Sequence, residues 1–281
     1  MNSSGNCLWI KKIAKPASFA TTYGEALTVD DNGFVYVAGN TNGYDTIGTS
    51  AITAGTFLAK FDSDGNNIWA KTKFSFTLFQ SQISFNTLRY FDNNIIACGN
   101  AYAVSTSDTI QTDTIALTNL KGTGFGLVCI DASTGTSKWM KFEGHPHTLT
   151  RYPMMDIDAI GNIYCTGTFY DTCIFSGDTL MTLLPTYSVN GFLTKYDISG
   201  NMLWIKQLNS TIRIGCSGIC VQPDQSILTV GTFAGQATFD VTNINASASC
   251  DMFISHHDNN TGNCIGVDHA GKGEGRSVVS D

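Results

Sequence analysis

The residues of this chain best suited to chemistry are few and clustered. His145 and His147 stand in the run GHPHT, Arg151 follows four residues later, and Arg213, His269 (in DHAGKG), Phe76 and Phe79 fall in comparable stretches between strand-like segments. Imidazole, guanidinium and aromatic groups presented together on loops are what a ligand-binding surface needs, because loops held by a rigid scaffold carry recognition. His-Pro-His also offers two imidazoles to a metal, but no third ligand is fixed by spacing, so no metal site is assigned. A second pair, His256-His257, lies inside an apolar run that reads as a strand. Alternation along a strand sends the two rings to opposite faces, and both are expected at the surface. In DSDGNN, Asp62, Asp64 and Asn66 match the first three ligand positions of a calcium loop, but Asn67 replaces the required glycine and Lys73 the terminal glutamate. Turn chemistry accounts for that stretch.

Nucleophile and phosphate motifs are missing: there is no G-x-S-x-G, no G-x-x-x-x-G-K-[ST] and no H-E-x-x-H. The glycine-rich runs Gly122–Gly126 and Gly271–Gly275 do not sit between a strand and a helix and are read as flexible turns. Asp30 and Asp158 recur at matching places in the chain, which favours a structural role over a single pair of catalytic carboxylates. No catalytic residue and no cofactor is therefore assigned.

Composition narrows the function classes further. With 16 basic and 23 acidic residues in 281, the net charge is −7 and no basic face stands out, which argues against binding the phosphate backbone of nucleic acid. Charged residues are only 14% and no apolar run is long enough to span a bilayer. Nine cysteines, at 7, 98, 129, 165, 173, 216, 220, 250 and 264, lie mostly in apolar runs without the paired knuckles of a zinc site. They are read as small buried side chains.

What must position the candidate residues is a repeat. Trp9, Trp69, Trp139 and Trp204 are 60, 70 and 65 residues apart, each preceded by a G-[NT] turn and followed two positions later by Lys11, Lys71, Lys141 or Lys206. A fifth turn, Gly262-Asn263-Cys264-Ile265, lacks its tryptophan. A second marker carries Gly39, Gly99, Gly167 and Gly231, and a third, FLAKFD, GLVCID and GFLTKYD, precedes each later Trp turn, with DMFISHHD before the fifth turn. Within one unit the apolar residues fall into four short runs: Glu25–Asp30, Phe34–Gly39, Thr56–Asp62 and Asn67–Lys73. They are joined by Asn/Asp/Gly turns. A recurring Phe (Phe175, Phe239) after the second run hints at an added edge strand.

Four short antiparallel strands repeated at this spacing predict an all-β fold, a β-propeller of four four-stranded blades of about 65 residues. The blades are expected near 15–73, 74–142, 143–207 and 208–267, with an orphan outer strand at 5–14 and the start of a further blade at 268–281. The glycines are expected where backbone approaches closely as strand two leaves the sheet, and the tryptophans as apolar plates between adjacent outer strands. On this count the chain is expected to be part of a larger propeller of about six to eight blades.

The combination GN-x-LW-x-K, D-x-x-GN-x-YV-x-G and F-x-x-K-[FY]-D-x-x-G resembles the bacterial SBBP β-propeller repeat over residues 5–281, with the second unit departing most at Arg89-Tyr90-Phe91 and in the excursion Ala101–Gly124. The resemblance implies a secreted or cell-surface setting, and the Thr/Ser/Asn/Gly-rich composition agrees. MNSSGNCLWIKK carries no signal peptide. The expected function is a non-enzymatic scaffold for protein or glycan interaction, with the remaining blades of the full protein as neighbours; a polysaccharide hydrolase or lyase is the alternative.

Overall fold

A computed structural model describes residues 7, 9, 10, 12, 21–75, 82–145, 151–182 and 189–279. Among them there are strands and turns and no helix. The first unit contains β1 (Thr22–Val29), β2 (Val35–Thr41), the small hairpin β3 (Asp45–Ile47) and β4 (Ser50–Ile52), then β5 (Gly55–Phe61) and β6 (Asn67–Ser75). The second contains β7 (Gln82–Phe91), β8 (Asn94–Gln111), β9 (Ala116–Asp131) and β10 (Ser137–His145). The third runs β11 (Arg151–Ile157), β12 (Ile163–Tyr170), the hairpin β13 (Thr172–Phe175) and β14 (Asp178–Met181), β15 (Val189–Tyr196) and β16 (Met202–Ser210). The fourth is β17 (Arg213–Val221), β18 (Ile227–Ala234), the hairpin β19 (Gln236–Phe239) and β20 (Thr242–Asn245), β21 (Asp251–His257) and β22 (Cys264–Ala270).

Each unit pairs its main strands consecutively and antiparallel: β1-β2-β5-β6, β7-β8-β9-β10, β11-β12-β15-β16 and β17-β18-β21-β22. The third and fourth are joined by a single parallel bridge, Val189 to Arg213, and by a two-residue pairing of β16 with β19. The four strands expected for the first unit lie where the apolar runs placed them. The suspected edge strand is the added hairpin, with Phe175 and Phe239 buried at its end in β13 and β19. In the second unit the same element is a continuation of β8 and β9, which stay paired through the excursion with a register shift between Ala103 and Asp108.

The turns explain why short runs suffice. Asp30 Oδ1 accepts the amides of Asn32 and Phe34, and its Oδ2 accepts the Tyr36 hydroxyl. Asp158 repeats this with Ile160, Asn162 and Tyr164. The turns between strands three and four use Asp62, Asp131, Asp197 and Asp258 likewise, each carboxylate accepting main-chain amides of its own turn. An Asx turn of this kind fixes the hairpin locally before any tertiary contact exists.

The glycine marker has the expected cause, close approach of backbone, but at a different place. Gly39, Gly99 and Gly231 lie inside strand two rather than at its exit. They face a bulge in strand one, between Gly24 and Ala26, Phe85 and Thr87, or Cys216 and Gly218. The bulge drives a strand-one carbonyl into the place a side chain would occupy: a Cβ on Gly39, Gly99 or Gly231 would lie 1.9, 1.7 or 1.9 Å from it. Gly167 occupies the same register in β12, beside the bulge between Arg151 and Met154.

Neighbouring sheets pack face to face. Tyr36, Ala38 and Leu58 of the first unit share a core with Leu88, Ile95 and Ala97 of the second, and Ile96, Cys98 and Phe125 of the second with Met155, Cys165 and Phe192 of the third. Leu27, Leu88, Met155 and Ile219 are equivalent, each pairing with the strand-two residue two places before the glycine. Leu88, Met155 and Ile219 are 1%, 1% and 5% exposed, whereas Leu27 is 66% exposed. Each buried one touches the unit before it. Leu88→Ala should therefore cost about 2–5 kcal/mol and Leu27→Ala within about 0.5 kcal/mol, measured by urea denaturation.

Candidate functional site

The first strands of all four units converge. Ala26 and Leu27 of β1, Asn86 to Arg89 of β7, Met154 and Met155 of β11, and Ser217 to Ile219 of β17 line one cavity of about 270 Å³ together with Arg276 to Val279. The segment at 275–279 is held against the fourth sheet by the Gly275 amide on the Gly231 carbonyl and by the Ser217 hydroxyl on the Gly275 carbonyl. It thus stands beside β17 as a further first strand would. The walls are mostly apolar, with Asn86, Thr87 and Ser217 as neutral polar groups. Arg89 Nε donates to Asp156 Oδ1 at 2.7 Å, and Asp156 Oδ2 accepts the Val221 amide at 2.8 Å, so this charge ties three units together. Arg276 donates to Glu274 at 2.9 Å.

Of the residues singled out by sequence, Arg213 and His269 do not line this cavity. His145 ends β10 opposite Thr123, and Arg151 opens β11 opposite Thr168. His147, Phe76 and Phe79 lie outside the described residues. Arg213 opens β17 and is exposed. His269 lies on a strand rather than in a loop: it sits in β22 opposite Phe253, with its ring edge-on to Phe233 at 5.6 Å. Its Nδ1 is 3.2 Å from Asp251 Oδ2. Asp251 is buried and also accepts the Ser247 amide and hydroxyl and the Lys272 amide. Those donors, the Ser247 amide foremost, hold its carboxyl down at about 2. Ser247 here donates to the carboxylate and not to the imidazole, so the three residues fasten a loop and do not form a nucleophile relay.

His257 corrects a second expectation. It is fully buried, not at the surface, and occupies the place of Phe61 in the first unit. Nδ1 lies 3.1 Å from the Gly262 carbonyl and must carry the hydrogen, while Nε2 lies 2.9 Å from the Ser255 hydroxyl and accepts from it. Burial pushes its pKa down to about 4. An unfolded histidine titrates near 6.5, so between about pH 6.5 and 4 only the unfolded chain takes up this proton. Stability contributed by the neutral ring is thus complete above about 6.5 and falls by roughly 3 kcal/mol in all as the pH drops to 4. His257→Phe should flatten that part of the stability profile, as read from urea midpoints across the pH range.

The tryptophans do what their spacing suggested, through a geometry that spacing alone does not reveal. Each indole lies over the turn glycine of the next unit: Trp9 on Gly65, Trp69 on Gly135, Trp139 on Gly200 and Trp204 on Gly262. Those glycines have φ of 75°, 69°, 81° and 73°. The Nε1 groups of Trp9, Trp139 and Trp204 donate to the carbonyls of Ser63, Ile198 and Asn259 in the same turns, at 2.8, 3.0 and 3.1 Å. Trp69 Nε1 is buried without a partner. The corresponding carbonyl, Ala132, instead accepts Lys60 Nζ and the Tyr36 hydroxyl.

The added hairpins form a second clasp between units. Buried Lys73 of β6 meets Asp113 at 3.2 Å and also donates to the Gly135 carbonyl. Glu143 of β10, at the equivalent place, accepts the amide and hydroxyl of Ser176 at 2.7 Å. Lys206 of β16 pairs with Asp240 at 3.6 Å. Burial lowers the Lys73 pKa and raises that of Glu143. These titratable groups serve cohesion. Among the described residues no group of three or more His, Cys, Asp or Glu side chains is arranged to hold a metal ion, and no helix is long and apolar enough to cross a membrane.

The molecule is thus an all-β protein of repeated antiparallel sheets stacked around convergent first strands. Residues 8–45 match the family model of the SBBP beta-propeller repeat, and the chain carries that repeat. No curated protein matches the sequence. Among solved structures the chain is similar to the quinohemoprotein alcohol dehydrogenase of Comamonas testosteroni, at 13% identity and a TM-score of 0.39, over 89% of this chain and 44% of that one. It therefore spans less than half of that enzyme. It is also similar to virginiamycin B lyase of Staphylococcus aureus, at 11% identity and a TM-score of 0.35, over 95% of this chain and 93% of that one.

Proposed function

We propose that the four sheets are four blades of a β-propeller, with residues 275–279 as the inner strand of a further blade. We further propose that the protein is a non-enzymatic binding scaffold of the cell surface or extracellular space that engages glycans or surface proteins. The use of the acidic groups supports binding over catalysis. Asp30, Asp62, Asp131, Asp158, Asp197 and Asp258 are engaged by the hairpins they close. Asp156 and Asp251 hold strands and loops together. The axial cavity, apolar with a few amides and hydroxyls, suits the face of a sugar ring or an aliphatic side chain. Leu27 exposes a face that the other units cover with a neighbouring blade, which supports a further blade as the occupant there.

The test is binding to arrayed glycans and to cell-surface protein extracts by the wild type, by Leu27→Trp and by a His145→Ala, His147→Ala, Arg151→Ala triple variant. Leu27 lines the cavity yet is exposed, so tryptophan there fills space without disturbing the fold. Loss of binding in Leu27→Trp assigns the cavity and loss in the triple variant assigns the loops. Release of oligosaccharide from a polysaccharide substrate would overturn the scaffold reading in favour of the hydrolase or lyase.

A further inference from the structure

Strand two of every unit carries two neighbouring residues, just before the marker glycine, that point to opposite faces. By register they are Val37 and Ala38 in β2, Ala97 and Cys98 in β8, Cys165 and Thr166 in β12, and Thr229 and Val230 in β18. The second of each pair faces the following unit and the first faces the preceding one. The seams between units are therefore lined by Ala38 with Ala97, Cys98 with Cys165, and Thr166 with Thr229. All six are 0% exposed. Only small side chains occupy these places, as expected where two sheets approach most closely. In the middle seam both are cysteines, fully buried within the core shared by the second and third units.

We propose that Cys98 and Cys165 are a disulfide site that covalently joins the second and third units. The reaction is thiol–disulfide exchange with a low-molecular-weight disulfide such as glutathione disulfide: one thiolate displaces a glutathione thiol, and the second thiol displaces the other. Two protein thiols thus lose two protons and two electrons, one S–S bond forms, and the oxidant leaves as two thiols. Both groups are inaccessible in the folded seam, and burial together with the Cys98 thiol raises the Cys165 pKa well above its ordinary value. Exchange therefore belongs to folding, before the seam closes, and the finished bond is shielded from reductant.

The experiment is to refold the reduced chain in a mixture of oxidised and reduced glutathione, block remaining thiols with N-ethylmaleimide in urea, and map tryptic peptides. The expected product links peptide 90–121, in which Cys98 is the sole cysteine, to peptide 152–195, two hydrogens lighter than the separate peptides. Fragmentation places the bond at Cys165 rather than Cys173. The oxidised protein should also show a higher urea midpoint than the same protein in dithiothreitol. That difference should vanish in a Cys98→Ala, Cys165→Ala variant, which reproduces the Ala38/Ala97 seam. N-ethylmaleimide on both Cys98 and Cys165 in the folded, glutathione-treated protein, or linkage of Cys98 to any other cysteine, would overturn the proposal.

Discussion

Gly99→Ala is expected to unfold the second sheet and, with it, the packing of the first and third. A methyl group at this position would lie 1.7 Å from the Ser84 carbonyl oxygen and 2.8 Å from the Phe85 Cα. Neither is a movable side-chain end. Both belong to the β7–β8 pairing, which is bulged on β7 between Phe85 and Thr87. Relief requires β7 and β8 to separate, which would break their hydrogen bonds and lift Phe85 and Leu88 out of the core shared with the first unit. The loss should reach about 4 kcal/mol or more, at the severe end for a single substitution. It would appear as failure to fold or as a large fall in the urea midpoint. Gly24→Ala makes the control. It lies in β1, where an added methyl group would meet nothing within 4 Å, and should change stability by no more than about 0.5 kcal/mol.

The second large effect concerns the tryptophan clasp. Trp139→Ala removes a plate that covers Gly200 and joins the second unit to the third, and should cost about 3 kcal/mol. The sharper test compares two milder variants. Trp139→Phe keeps an aromatic ring but deletes the donor to the Ile198 carbonyl, and should cost about 1 kcal/mol beyond any packing change. Trp69→Phe deletes an indole N–H that is buried with no acceptor, so it should cost less than Trp139→Phe or even stabilise. Equal losses in the two variants, by chemical denaturation, would show that the hydrogen bonds are immaterial and that area alone holds the units together.

The contrast between these tryptophans shows what the sequence could disclose. Strand limits were legible because they depend on neighbours in sequence: an aspartate closing its own turn, a glycine at positive φ, alternating apolar residues. Thus Asn67 opens β6 where the apolar run begins. The partner of each indole was not legible, because Gly65, Gly135, Gly200 and Gly262 look like ordinary turn glycines until the next sheet is laid over them. His257 misled for a related reason. A polar residue at a place held by Phe61 and Tyr196 in other units carries a signal only when the units are aligned, and then the apolar equivalents point to burial. His269 misled because the sequence reading ends the last fourth strand at 267, whereas β22 runs to Ala270, as far as the first unit's run to Lys73 implies by register. The axial cavity had no motif at all, being assembled from single residues of β1, β7, β11 and β17 that lie far apart along the chain.

The clasp also gives the stack a direction. Every unit described carries a socket, the turn glycine, but the fourth has Gly266 and Asp268 where the others have Trp and Lys, and a side chain at 266 would meet nothing within 4 Å. The socket of that unit, Gly262, is filled by Trp204, but its outer strand offers no plug to a unit beyond it. In a quasi-linear array whose stability is a sum over neighbouring pairs, a junction formed on that side starts with one fewer anchor than the three before it. Under load or thermal stress the array should part there first, leaving the preceding units joined as a block.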